Sequence, residues 1–189
     1  MHLSLGSCVV RDWAAGDLHS IARHANNRNI WVNLRDKFPH PYTEANARDF
    51  LAHVGQQDPT TIWAIEVDGE AVGAIGLVIM SDVERVSAEI GYWLGETCWG
   101  RGVATAALRG VTTEAFRRFD LRRIFALPFG DNRPSIRVLE KAGYVLEGRL
   151  TESAIKDGVL RDQWMYGAYK KSWQVAQVAQ VAQVGQVGG

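Results

Sequence analysis

The sequence predicts a mixed α/β domain of the α+β kind, built on one twisted, mostly antiparallel sheet. Three observations lead there. The early part of the chain carries apolar residues at helical spacing, the middle carries two apolar runs joined by Asp68-Gly69-Glu70, and the later part alternates apolar runs with helical stripes.

Taken in order, Asp17 can cap a first helix with Leu18, Ile21, Ala22 and Ala25 on one face. Pro39 and Pro41 then stop regular structure within "NIWVNLRDKFPHPYT". A second helix starts after Thr43 and turns Ala47, Phe50, Leu51 and Val54 inward. "TIWAIEV" and "AVGAIGLVI" flank the Asp-Gly turn and read as a hairpin, with "VSAEIGYWLG" as a third neighbour. From Val103 a helix places Ala104, Leu108, Val111, Ala115 and Phe119 on one stripe. "RRIFALPF" reads as a buried strand, and a helix from about Pro134 ends at Gly143, a left-handed stop. "YVLEGRL" and a pair joined at Asp157-Gly158 supply the last strands. The domain is expected over residues 1–172. Residues 173–189 repeat Gln-Val-Ala or Gln-Val-Gly every three residues, which suits neither a helix face nor a strand face, and read as a low-complexity tail.

A chain of 189 residues is long enough for one domain with a full core. Lys+Arg and Asp+Glu both number 21, so the balance of charge gives no footprint for nucleic acid or an anionic membrane. Cys8 and Cys98 are too few and too far apart for a disulfide framework, and read as free thiols in a reducing cytoplasm. The N-terminus makes a poor signal peptide, and the longest apolar run, Ala71 to Met80, is too short to span a bilayer. His19, His24 and His53 lack ligand spacing, so no metal is expected.

"CWGRGVATAALRG", residues 98–110, places little side chain where a strand hands over to a helix. Such a turn presents unpaired backbone N–H groups at the positive end of a helix dipole, and Gly100, Gly102 and Ala104 leave room for a phosphate beside them. Thr105 adds a hydroxyl. On its own the segment is equally a tight turn beneath a closely packed helix. It is neither a Walker loop nor a Rossmann fingerprint.

With its surroundings the segment says more. "AEIGYWLGETCWGRGVATAALRG" followed by "DNRPSIRVLEKAGYVLEGR" resembles the GCN5-related N-acetyltransferase (GNAT) superfamily, and within it the RimJ/RimL-type branch, the ribosomal-protein N-terminal acetyltransferase-like enzymes. The resemblance covers roughly Leu5 to Tyr169. It implies an acetyltransferase sandwich with helices on both faces of the sheet, splayed between its fourth and fifth strands to admit acetyl-CoA. Trp99, Gly100, Arg101, Gly102, Val103, Ala104 and Thr105 match the segment that holds the pyrophosphate through backbone amides. Trp93, Leu94 and Gly95 match the segment that pairs with the pantetheine, and Asn132 the side chain that fills the splayed gap. The N–H of Leu94 matches the usual oxyanion donor, and Ser135 a serine that assists the departing sulfur. Three positions depart from the pattern. Trp99 replaces a frequent Gln or Arg, Ala106 a Glu common in the branch, and Leu139 the tyrosine that serves many members as general acid.

Acetyl transfer needs a neutral amine. An alkyl ammonium has a pKa near ~10 and an α-amino group near ~8, so a base matters more for the first. Glu89, on the strand beside the groove, can take that proton through a water; the alternative is an outward polar residue. His40 and Tyr42, in the proline-bounded loop, and Trp31 are candidates to line the acceptor pocket, with loop packing or core as the alternative. The expected function is acetyl-CoA-dependent transfer to a primary amine, with a protein N-terminal α-amine as one acceptor. The competing readings are a small-molecule amine (a polyamine, amino acid or antibiotic), a longer acyl donor, and an acyl-CoA-binding protein without turnover. Either a monomer or a homodimer suits the sequence.

Overall fold

The computed structural model describes residues 1–175. Eight strands form one sheet in the order β1-β2-β3-β4-β5-β6-β8-β7. The strands are β1 (His2–Ser4), β2 (Val9–Arg11), β3 (Ile62–Val67), β4 (Glu70–Ile79), β5 (Ser87–Leu94), β6 (Arg123–Ala126), β7 (Val145–Lys156) and β8 (Val159–Tyr169). Every neighbouring pair is antiparallel except β5–β6. The helices are α1 (Leu18–Ala25), α2 (Arg28–Trp31), α3 (Glu44–Gly55), α4 (Val103–Arg118) and α5 (Arg133–Ala142).

Local chemistry explains most boundaries. Asp68 and Gly69 both take positive φ, 52° and 82°, which matches the twist of a two-residue hairpin joining β3 to β4. Thr43 caps α3, accepting from the Asn46 N–H while the Asn46 side chain accepts from the Thr43 N–H. Asn132 accepts from the Ser135 N–H at the start of α5, and Gly143 closes that helix at φ 101°.

The two faces of β5 divide the interior. Ala88, Ile90 and Leu94 join the main core beneath α4 and α5, with Tyr92 packed against it, whereas Trp93 packs with Ile21, Ala25, Tyr42 and Ala47 under α1 and α3. This is the period-two alternation of a strand buried on both faces.

Several expectations need correction. The chain does not begin with helices: β1 and β2 come first, β1 pairing with β2 and β2 with β3. A four-residue helix, α2, occupies the segment taken as irregular. Asp17 makes no cap bond; its carboxylate accepts from Arg11 and from the Ala14 N–H. The buried stripe of α4 is turned from the expected one and runs through Val103, Ala107, Leu108, Val111, Ala115 and Phe116, leaving Ala104 and Phe119 half-buried. The final strands are two, because β7 continues through two register shifts as one strand. Residues 170–175 are helical, and Trp173 lies in the core at 7% exposure, touching Phe116 and Tyr144 and donating to Thr113 Oγ1. The folded part therefore passes the expected boundary at 172. The rest of the repeat, residues 176–189, lies outside the described residues.

Candidate active site

β5 and β6 pair side by side only at Ser87↔Arg123, Ala88↔Ile124 and Glu89↔Phe125. Beyond Glu89, β5 runs on to Leu94 while the other chain leaves. Two bonds to β8 draw it away: Trp164 N–H to the Pro128 carbonyl and Gly130 N–H to the Asp162 carbonyl, both 2.9 Å. The sheet thus opens into a V, and a cleft of about 600 Å³ passes through it.

One wall is the exposed backbone edge of β5. Gly95 N–H donates to the Val72 carbonyl at 2.7 Å, and the register Gly73↔Leu94, Ala74↔Trp93, Ile75↔Tyr92 continues from there. In an antiparallel ladder, bonded and unbonded pairs alternate. Trp93 therefore spends its backbone groups on Ala74, and the N–H groups of Tyr92 and Leu94 turn toward the cleft. The Leu94 carbonyl accepts from the Trp99 indole at 2.7 Å. Trp99 thus fixes the Leu94 peptide plane and leaves its N–H as the group on offer.

The far end of that wall is the turn into α4. Gly100 and Gly102 adopt φ 75° and 80°, conformations that L side chains rarely take. Gly102 is the N-cap and offers no side chain to the helix start. The helix's first internal bond runs from Ala106 N–H to the Gly102 carbonyl, so the N–H groups of Val103, Ala104 and Thr105 have no helical partner. All three residues line the cleft. At the N-terminus of a sixteen-residue helix, such donors suit an anion.

The other wall is α5. Asn132 lines the cleft, and its side-chain oxygen Oδ1 accepts from the Ser135 N–H. Ser135 Oγ lies 2.9 Å from the Tyr92 hydroxyl, which also reaches the Ser135 carbonyl at 3.3 Å. Burial pushes the Tyr92 phenol up to about 12, so it keeps its proton at any ordinary pH. Tyr92 was not singled out from sequence. Its signal was the alternation along β5, which puts it on the α5 side with Ile90 and Leu94. Leu139 is fully buried at 0% exposure and does not line the cleft.

Glu89 lies on the opposite face of β5, at the mouth of the V. Arg35, from the segment after α2, reaches its Oε1 at 2.5 Å. The carboxylate proposed from sequence as a base is thus engaged by a guanidinium.

The remaining expected residues are placed differently. Gly95 and Arg101 do not line the cleft. A Cβ on Gly95 would come 2.6 Å from His24 Nδ1, so its missing side chain makes room for a histidine. Trp31 stacks on His40 with ring centroids 5.5 Å apart and supports Lys156 Nζ at 3.8 Å on its ring. Tyr42 is buried against Phe38. None of Trp31, His40 and Tyr42 borders the cleft; Asn29, Val32, Asn33 and Arg35 do. Among the described residues no three His, Cys, Asp or Glu side chains gather to hold a metal, and no helix is long and apolar enough to cross a membrane.

A sheet opened between two parallel neighbours, with a helix N-terminus at one end of the gap, defines an acetyltransferase-type fold. Residues 8–145 match the model of the acetyltransferase (GNAT) domain, and the chain belongs to that family. It is 33% identical over 140 residues to the uncharacterized N-acetyltransferase p20 of Bacillus licheniformis, covering 70% of this chain and 78% of p20. It is 34% identical over 107 residues to YdaF of Bacillus subtilis (strain 168), named as a candidate ribosomal N-acetyltransferase. That match covers 57% of this chain and 58% of YdaF. Among solved structures, the fold is similar to that of RimL, the ribosomal L7/L12 α-N-protein acetyltransferase in complex with coenzyme A. The TM-score is 0.79 at 20% identity, over 89% of this chain and 98% of that one.

Proposed function

We propose that this chain is an acetyl-CoA-dependent N-acetyltransferase that acetylates a primary amine by direct attack in a ternary complex, with a protein N-terminal α-amine as acceptor. One observation carries the reading. A single cleft joins the unpaired amides of the first turn of α4, the free N–H edge of β5, and a carboxylate on the opposite face of the sheet.

The residues present fit coenzyme A. The amides of Val103, Ala104 and Thr105 stand bare beside two side-chain-free glycines and would hold the pyrophosphate. The backbone of Tyr92 would pair with the pantetheine arm, while Gly95 and Trp93 have spent the relevant backbone groups on β4. Bound acetyl-CoA supplies the thioester carbonyl and a thiol leaving group.

Each protein group then has a defined task. Leu94 N–H, aimed by the Trp99 bond to its own carbonyl, donates to the oxygen on which negative charge develops. Ser135 donates to the sulfur. Tyr92 is the positioning residue here: its hydroxyl, 2.9 Å from Ser135 Oγ, fixes where the serine hydroxyl sits beside the cleft. The thiol's ordinary pKa of ~8.5 makes hydrogen bonding to the thiolate sufficient. Proton loss from a phenol held at about 12 is not required. Glu89 accepts the proton of the incoming ammonium, directly or through a water, once Arg35 yields the carboxylate.

The test is thiol release from acetyl-CoA over N-terminal peptides and small amines, with the product's acetylated nitrogen located by mass spectrometry. The expected result is release above the amine-free background with acetate on a peptide α-nitrogen. Turnover confined to small amines would overturn the acceptor. Binding of acetyl-CoA with no turnover on any amine would overturn the enzyme reading in favour of an acyl-CoA-binding protein.

A further inference from the structure

Arg35 engages the carboxylate that the function proposed above assigns to the acceptor's ammonium. Glu89 is the carboxylate at the mouth of the V, with 23% of its side chain exposed, and the Arg35 guanidinium holds its Oε1 at 2.5 Å. Arg35 itself is 62% exposed and makes no other ion pair among the described residues. The remaining charged residues along the cleft are Asp131, which pairs with Arg161, and Arg137 and Lys141 on α5. Nearby charges are settled elsewhere: Lys156 pairs with Asp36, and Arg28 with Asp157. Among the described residues the carboxylates nearest in sequence or along the cleft, Asp36 and Asp131, are already paired with Lys156 and Arg161.

We infer that Arg35 selects acceptors that carry an acidic group close to the reacting amine, a reading that rests on the acetyltransferase function proposed above. One carboxylate cannot neutralise two cations. When the acceptor's ammonium takes Glu89, the guanidinium stays within a side chain's length of it, and like charges there repel. An anion on the acceptor removes that conflict by pairing with Arg35, in the planar two-pronged geometry that a guanidinium offers a carboxylate. The amine and guanidinium exchange partners, and the number of ion pairs rises. A second ammonium on the acceptor does the opposite. The substrate class is therefore an amine with a nearby carboxylate, such as a peptide N-terminus followed by an acidic residue. Polyamines are selected against. Because Arg35 is exposed and in an irregular segment, its replacement spares the core.

The experiment uses the full chain with acetyl-CoA and three peptides that differ only in having Asp, Asn or Lys at the second position. A second set of three-carbon amines carries an anionic, neutral or cationic far end: β-alanine, propylamine and 1,3-diaminopropane. In the wild type, kcat/KM is expected to fall at least tenfold from the anionic to the cationic member of a set. Arg35→Gln should reduce that spread to threefold or less, and Arg35→Glu should reverse the order. A wild-type order with the cationic member equal or better, or an order unchanged in Arg35→Glu, would overturn the assignment. No thiol release with any member would instead overturn the acetyltransferase reading, and this inference with it.

Discussion

The two halves of the cleft are made of different material. On the α4–α5 side the groups on offer are mostly backbone: three amides at the start of α4, the N–H edge of β5, and two glycines whose positive φ keeps the approach clear. On the α1–α3 side they are side-chain charges, Glu89 and Arg35, which among the described residues pair only with each other. Backbone positioned by a sheet and a helix end is nearly independent of residue identity. An ion pair between a strand and an irregular segment can be retuned by one substitution. The first half suits a ligand common to every turnover, and the second suits the partner that varies.

The largest expected effect breaks the charged half. Glu89→Gln keeps the side chain's shape and loses the base, so kcat/KM should fall on the order of 10²-fold near neutral pH. The sign of the pH dependence follows from the acceptor. As pH rises toward the amine's own pKa, near ~8 for an α-amine, the amine deprotonates unaided and the deficit shrinks. A profile parallel to wild type at every pH would remove Glu89 from the chemistry. Glu152, a carboxylate on β7, sits outside the cleft in a bulge of that strand at φ 48°.

Smaller effects are expected where a side chain only aims another group. Ser135→Ala should lower kcat about tenfold with the acetyl-CoA KM nearly unchanged, the scale of one hydrogen bond to charge. Tyr92→Phe should do much the same, and the double variant should lose little more than either, because both act through one donor. Full additivity in that cycle would show that the Tyr92 hydroxyl serves Ser135 in no catalytic sense. Trp99→Phe removes the bond to the Leu94 carbonyl and keeps an aromatic ring at the cleft wall. Its cost should be the smallest, about threefold in kcat, or ~0.7 kcal/mol. A loss as large as that of Glu89→Gln would mean the indole touches substrate.

The same division explains what the sequence revealed. Asp68-Gly69, Thr43, Asn132 and Gly143 declare their turns and caps through local chemistry, so the elements around them were legible. The turn at residues 100–105 was legible too, because two glycines and small residues before a helix mark it locally. β1 and β2, three residues each, are too short to register as a period and gain their stability by pairing with each other and, through β2, with β3. Tyr92–Ser135 and Arg35–Glu89 join residues 43 and 54 positions apart, which no local pattern encodes. Gly95 shows the opposite failure: it sat inside a motif, yet its missing side chain serves His24. Tyr42 and Trp31 had the right composition for a pocket wall, and the packing of α3 and Lys156 claimed them instead.

The independence of the two halves is tested most directly by titrating acetyl-CoA calorimetrically into folded Gly102→Val and Glu89→Gln. A β-branched side chain at φ 80° strains the turn that presents the amides of Val103 to Thr105. The account predicts a dissociation constant at least tenfold weaker than wild type, about 1.4 kcal/mol, for Gly102→Val. It predicts a value within about twofold of wild type for Glu89→Gln, equivalent to no more than ~0.4 kcal/mol. Wild-type affinity in Gly102→Val, or a matching loss in Glu89→Gln, would contradict it.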